Sequence, residues 1–320
     1  MLVPVRARTA QQRDVIIVTQ QRVAGFASCS AGAHQTCAIA ARDGLLLCWG
    51  RSYGDPPGGR WSSDGRGFKL RLPGAWAGVS ANTHTCAIRK CDGECDGSMQ
   101  CWGFGANGQA AVPASVGPWS VVSAAAWHTC AIAKLDSSLH CWGSPAMTDG
   151  APESWVGGWV SVSCGSEHSC ALRADGSVRC WGNNNHGQLA VPEPHARWVS
   201  ISAGELHTCG ILKADSSMRC WGSSLHGKTD VPAASGGWAL VAAGGRHSCG
   251  ILKRDHSMLC WGSNDHGQTR VPPITGGWLS VAAGSEHSCG IVERDASMST
   301  NIRCWGRDSE GQVTVPSFEE

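Results

Sequence analysis

Cysteine and histidine are the residues of this chain best equipped for chemistry, and they recur in a fixed order. Each copy reads His-Thr/Ser-Cys (Gln35-Thr-Cys in the first), a short polar turn, then Cys-Trp-Gly, the last starting at Cys48, Cys101, Cys141, Cys180, Cys220, Cys260 and Cys304. The register pairs Cys37/Cys48, Cys86/Cys101, Cys130/Cys141, Cys170/Cys180, Cys209/Cys220, Cys249/Cys260 and Cys289/Cys304, with 10 to 15 positions between partners. A hairpin of that length sets partners side by side, where opposed Cα atoms lie ~4.5–5.5 Å apart, within disulfide range. Disulfides are therefore expected. Two alternatives stay open: reduced cysteines serving as small buried fillers, and zinc held by His-x-Cys and the later Cys. The zinc reading lacks the tight Cys-x-x-Cys knuckle, so no metal is expected. Of the four remaining cysteines, Cys91 and Cys95 flank a loop and could bridge locally. Cys29 and Cys164 fall in strand slots and read as buried thiols.

Six of the 13 histidines occupy one slot: His84, His128, His168, His207, His247 and His287, with Gln35 in the first copy. A catalyst needs one asymmetric constellation rather than repeated copies. The expected task is structural, an imidazole bridging backbone groups of neighbouring loops. A second set, His186, His226 and His266, shares a loop slot in three consecutive copies and should line one exposed rim. There it is a solvated loop or a pH-sensitive or metal contact. The recurring Asp136, Asp175, Asp215, Asp255 and Asp295 suit turn capping. No phosphate-cradling loop, nucleophile elbow or zincin helix is present, so no catalytic residue and no cofactor is expected.

The elements that must position these residues follow from the period. Five of the six intervals between Cys-Trp-Gly copies are 39, 40 or 44 residues and the first is 53, which marks a repeat architecture. Trp198 to Ala203 alternates apolar and polar residues, His207 to Leu212 is a second strand, and Met218 to Trp221 is a third. A paired-helix repeat fails because each unit carries several glycines, a turn cluster and a terminal proline. The expected fold is all-β: a single seven-bladed β-propeller of about forty-residue repeats over residues 26–316, with a tail at 317–320. Residues 1–25 form an N-terminal segment in which Asp14 to Thr19 reads as a strand that could close the ring. Blade one carries an insertion, Asp55 to Leu72, and blade three an irregular segment, Ser144 to Trp155; both lack the Gly-Gln/Lys pair of the other blades.

Charged residues make up 16% of the 320 and the net charge is +1. No basic stripe appears either, so a nucleic-acid partner is not expected. No apolar run reaches bilayer length, so membrane insertion is not expected. Eighteen cysteines point to an oxidising, extracellular or lumenal compartment, although no secretory leader is visible.

The pattern Ala-Gly-x-x-His-Thr/Ser-x-Gly/Ala-Ile/Leu, then Trp-Gly-x-Asn-x-x-Gly-Gln and Val-Pro, resembles the regulator of chromosome condensation repeat. Ala203 to Ile211 and Trp261 to Gln268 with Val271-Pro272 carry it best. The compact period is similar to that of the β-lactamase inhibitory protein of type II, and two cysteines per unit are similar to the crinkly receptor kinase ectodomains. The resemblance implies a propeller, but such propellers serve exchange factors, inhibitors, photoreceptors and receptor ectodomains alike.

Tryptophans outside the two repeated Trp slots are candidates for a binding face: Trp61, Trp127 and Trp155, with Tyr53 near Trp61. The alternative is that they cover the propeller edge. The expected function is a monomeric, non-enzymatic propeller that presents a loop rim to a protein partner. Alternatives are a guanine-nucleotide exchange factor for a small GTPase, a carbohydrate-binding propeller and an inhibitor of a secreted enzyme. Peptide mapping without reduction should recover all seven within-blade bridges; free thiols throughout would refute the stapling.

Overall fold

Apolar-polar alternation broken by glycine gives every blade the same three short strands. A computed structural model describes residues 25–51, 53–55, 62–63, 68–90, 97–151, 157–293 and 300–316. In blade five the strands are Trp198–Ala203, His207–Leu212 and Met218–Gly222, each antiparallel to the next. Six blades are three-stranded sheets of consecutive strands, and blade one has five strands. The chain is thus a seven-bladed, all-β propeller. The innermost strands are Phe26–Ala31, Trp76–Ala81, Trp119–Ala124, Trp159–Cys164, Trp198–Ala203, Trp238–Ala243 and Trp278–Ala283. They wall a central channel of about 290 Å³ lined mostly by serine, alanine, glycine and valine, with Cys29, Cys164, Asn82 and Glu205 among them.

The blade-one insertion is partly regular. Phe68–Leu72 pairs with Leu46–Gly50, and Ser62–Ser63 pairs with it in turn. The reason is its own alternation: Leu70 and Leu72 are buried while Lys69 and Arg71 face outward. In blade three Pro145–Thr148 makes one helical turn. Asp14 to Thr19, Cys91 and Cys95 lie outside the described residues.

All seven within-blade disulfides are formed, with partners directly opposed in the hairpin at Cα separations of 4.0–4.1 Å. The glycine after Cys-Trp has φ between +97° and +118° in every blade. It also passes close to the preceding loop: a Cβ on Gly222 would sit 2.7 Å from the Leu206 carbonyl oxygen. No other residue type fits both conditions.

The hydrophobic core is divided into seven wedges, one between each pair of neighbouring blades. Six wedges place the two tryptophans of one blade against the second strand of the blade before it, and the seventh places Phe26 and Trp49 so. In blades five, six and seven the paired rings lie 5.5–5.7 Å apart. The Cys-Trp-Gly tryptophans therefore pack between blades. The seventh wedge joins Phe26 and Trp49 of blade one to Ile291 and Ile302 of blade seven, which closes the ring. Asn301 reinforces that junction: the Phe26 amide donates to its Oδ1 (2.6 Å), and its Nδ2 donates to the Phe26 carbonyl (3.0 Å).

The repeated histidines run around the ring as a hydrogen-bonded circuit. His84 Nε2 meets the Thr129 hydroxyl (2.6 Å), His128 meets Ser169 (2.6 Å), His168 meets Thr208 (2.8 Å) and His207 meets Ser248 (2.8 Å). His247 meets Ser288 (2.8 Å) and His287 meets Thr36 (2.9 Å). Gln35 completes the circle by donating its amide to Thr85 (2.9 Å). Each link reaches the next blade's side chain rather than the loop backbone the sequence suggested, because the Thr/Ser beside the repeated cysteine faces across the wedge.

Five of these hydroxyls donate onward to the main-chain carbonyl of the Gly-Gln/Lys pair: Thr36 to Gln312, Thr129 to Gln109, Thr208 to Gln188, Ser248 to Lys228 and Ser288 to Gln268. A hydroxyl has one proton to give, so the imidazole must donate. Those five histidines are neutral with the proton on Nε2. The same five carbonyls accept the indole N–H of Trp49, Trp142, Trp221, Trp261 and Trp305. Trp102 and Trp181 follow the two blades that lack the Gly-Gln/Lys pair, and their indole N–H groups have no acceptor among the described residues.

Burial pushes the imidazoles down, to about 4 at His84, His128 and His247 and about 3 at His168, His207 and His287. Folded-state values below the unfolded one mean that the unfolded chain binds more protons in acid. Stability is therefore full above pH ~6.5 and falls as the pH drops toward 4 and below. Acid unfolding should take up as many as six protons, each contributing up to ~1.4 kcal/mol per pH unit, read as the pH dependence of urea midpoints. His207→Gln, which keeps a donor as Gln35 does, should cost about 1 kcal/mol less than His207→Ala, with one fewer proton taken up.

Candidate protein-binding rim

Antiparallel strands send the loop between first and second strands and the loop after the third strand to the same end of every blade. These loops form the upper rim, and the hairpin turns form the lower one. The lower turns are capped locally: Asp136, Asp175, Asp215 and Asp255 accept from the amides of Ser138, Ser177, Ser217 and Ser257 at 2.8–3.0 Å. The same turns hold these carboxyls below their usual range by bonds to those serines.

Tyr53, Trp127, His186, His226 and His266 all belong to upper-rim loops. Trp61 and Trp155 lie outside the described residues. Trp127 is 43% exposed on a loop that is firmly held from behind. Thr83 donates to the Ala126 carbonyl (2.8 Å), Gln109 does so at 3.4 Å, and the Ser144 amide donates to the Trp127 carbonyl (2.9 Å). Its ring meets Phe104 edge-on at 5.9 Å. Phe104 follows Gly103, against which Gly54 of blade one is placed. Tyr53, next to Gly54, carries the Arg51 guanidinium 5.4 Å from its ring centre and His34 at 6.4 Å. Partial burial raises the phenol, with Arg51 opposing. The result is a strip of aromatics on the upper rim of blades one to three, with Phe104 and Trp127 in contact and Tyr53 on the adjoining loop of blade one. Sequence reading missed Phe104, which is half-buried. It stands where Ser144, Asn183, Ser223, Ser263 and Arg307 stand in the other blades, an aromatic at a slot otherwise polar.

The three histidines are exposed, and two of them share one loop geometry. The amides of His186 and His266 donate to Gln188 and Gln268 Oε1, both at 2.9 Å. Blade five has Lys228 instead, which cannot accept. Its loop turns differently, with His226 at φ +64°. Lys228 is buried and gives Nζ to the Gly245 carbonyl at 3.3 Å, with burial lowering its pKa and Glu205 opposing. His266 reaches Glu286 (3.7 Å) together with Arg246 (3.8 Å) and Arg307 (2.5 Å). Desolvation works against the Glu286 charge, but the Arg307 bond and the surrounding cations hold its pKa below the usual value. The histidines do not converge on a common centre.

A second signal was present in the repeats but unread. The residue before the circuit His/Gln is His34, Thr83, Trp127, Glu167, Leu206, Arg246 and Glu286 in turn. The residue after it is His in six blades and Gln in one, while this position takes every chemical character. All seven belong to upper-rim loops, and each is at least partly exposed. As for metals, His128, Cys130 and Cys164 have donor atoms within 4.8 Å of one another. Cys130 is committed to its disulfide with Cys141, which leaves two donors, too few for a protein zinc site.

Among the described residues no helix is long and apolar enough to cross a membrane. No curated protein sequence matches the chain. Among solved structures, the CRINKLY ectodomain of the Arabidopsis thaliana receptor kinase ACR4 is 27% identical, over 89% of this chain and 96% of that one, with a TM-score of 0.64. The ectodomain of the Physcomitrella patens receptor kinase CR4 is 26% identical over 87% and 72%, with a TM-score of 0.65. Yeast RCC1 (Prp20), solved bound to Kap60, shares the fold at 17% identity over 98% and 89%, with a TM-score of 0.65. The regulator of chromosome condensation (RCC1) repeat matches residues 159–188, 198–228 and 238–268, the bodies of blades four, five and six. That repeat thus occupies three consecutive blades of the seven-bladed propeller, and the other four blades share its three-strand geometry.

Proposed function

We propose that this propeller is a non-catalytic recognition module and that its upper rim holds a protein partner. The observation that carries the reading is the aromatic strip Tyr53–Phe104–Trp127, mounted on loops fixed by hydrogen bonds to the blades. Exposed aromatics on a rigid support lose little entropy on binding and are the residue types that anchor protein interfaces. The charged cluster around Glu286 continues the rim across blades six and seven, where it would orient a partner rather than supply most of the affinity. Trp61 and Trp155, from the irregular segments of blades one and three, are proposed to extend the strip.

Two further points support the reading. The two receptor ectodomains resemble this chain along nearly its whole length, at an identity above that of the yeast protein. Seven disulfides and that likeness also support an extracellular or lumenal setting, where such bridges persist.

The test is partner capture by cross-linking from the native source, comparing Trp127→Ala and Phe104→Ala with a lower-rim control, Leu135→Ser. Leu135 is 82% exposed. Upper-rim variants should lose at least ~30-fold in affinity for the captured protein, the loss usual for a ~2 kcal/mol anchor, with Tm within a few degrees of wild type. The control should bind normally. Equal binding by all three proteins, or a large Tm loss in Trp127→Ala, would show that the aromatics serve packing instead.

A further inference from the structure

The junction between blades three and four carries a thiol beside a disulfide. The slot at the end of the innermost strand is alanine in six blades, at Ala31, Ala81, Ala124, Ala203, Ala243 and Ala283, and cysteine in blade four. Cys164 is unpaired and buried, on the channel wall. Its sulfur, that of Cys130 in blade three and a ring nitrogen of His128 lie within 4.8 Å of one another. The Cys164 amide is fixed by the Ser123 hydroxyl of blade three (2.9 Å), which holds the strand against that blade. Cys130 is fully buried, whereas its partner Cys141 is partly exposed.

We propose that Cys164 exchanges with the Cys130–Cys141 disulfide, moving the bridge from within blade three to between blades three and four. In the step, the Cys164 thiolate attacks Cys130 Sγ. The Cys130–Cys164 bond forms as the Cys130–Cys141 bond breaks. Cys141 departs as thiolate and takes up the proton that Cys164 gave up. The number of disulfides is unchanged, so no oxidant or reductant is consumed. The outcome is a covalent tie across one wedge and a free thiol at a partly exposed position. The junction also carries Trp127, three residues from Cys130, so the state of the bridge bears on the end of the aromatic strip. Desolvation raises the Cys164 thiol to about 11, against the lowering by Ser169 and Ser123. The resting form is therefore the protonated thiol next to an intact hairpin bridge.

The test uses the full chain in two experiments. Wild type held at pH 8.5 without oxygen, then acid-quenched, alkylated and mapped without reduction, should yield a Cys130–Cys164 linked peptide with alkylated Cys141. Cys164→Ala should not. In a second variant, Cys141→Ser refolded with oxidised glutathione should close Cys130–Cys164 in a protein with wild-type near-ultraviolet circular dichroism. The proposal is overturned if Cys141 is never alkylated in wild type. It is equally overturned if the folded Cys141→Ser protein keeps Cys130 and Cys164 as free thiols.

Discussion

The hydrogen bond from a neutral imidazole to a hydroxyl of the next blade is the constraint on which the ring depends. It is made six times by histidine and once by Gln35, and it returns to its own start. Each link sits at the top of an apolar wedge, fully buried, where an unmade bond would cost more than a made one contributes. The circuit is also directional. The hydroxyl's single proton is committed to a carbonyl in five junctions, which forces the tautomer of the imidazole behind it. A protonated imidazole has no acceptor for its second N–H, so the ring is tied to the neutral form. Disulfides act at a different level, within blades, where they hold the hairpin that presents the His-Thr/Ser-Cys segment. Packing between blades and stapling within them are therefore separate devices.

That division frees the loops. The residue ahead of each circuit His has its backbone positioned by the blade, and no single side-chain type is required there. It can be Trp, Glu, Arg or Leu without disturbing a wedge. A propeller built this way is a rigid disc with an editable face, and the aromatic strip is where editing has gone furthest toward apolar contact. Blades one and three, the two without a Gly-Gln/Lys pair, flank the strip's centre. The same departures leave the indoles of Trp102 and Trp181 without the carbonyl that serves their counterparts. The regular blades five to seven instead carry the charged half of the rim, and Lys228 shows how one substitution in a buried slot re-turns an exposed loop.

The free thiols follow a similar logic. The channel-wall slots tolerate any small residue, and alanine fills most of them. Cysteine is nearly the same size, so Cys164 costs the fold little. What distinguishes it is the neighbour across the wedge, a disulfide sulfur within reach.

Read alone, the amino-acid sequence determined the architecture, because a forty-residue period with alternating strands and turn glycines has few physical solutions. It determined which cysteines face each other as well, since hairpin length puts the partners opposite, and the structure closed them as disulfides. It also marked the tryptophans as packing elements, because they recur where the fold recurs. Tertiary structure alone decided what lies across a junction. That the circuit histidines address hydroxyls rather than loop backbone depends on how one blade leans on the next, some forty residues away. That Phe104 meets Trp127 depends on two neighbouring blades sharing one rim. That Cys164 faces Cys130 depends on a wedge closed by packing. Local periodicity specifies which residues share a strand face; which faces meet is set by the ring, and the ring is a property of all seven repeats together.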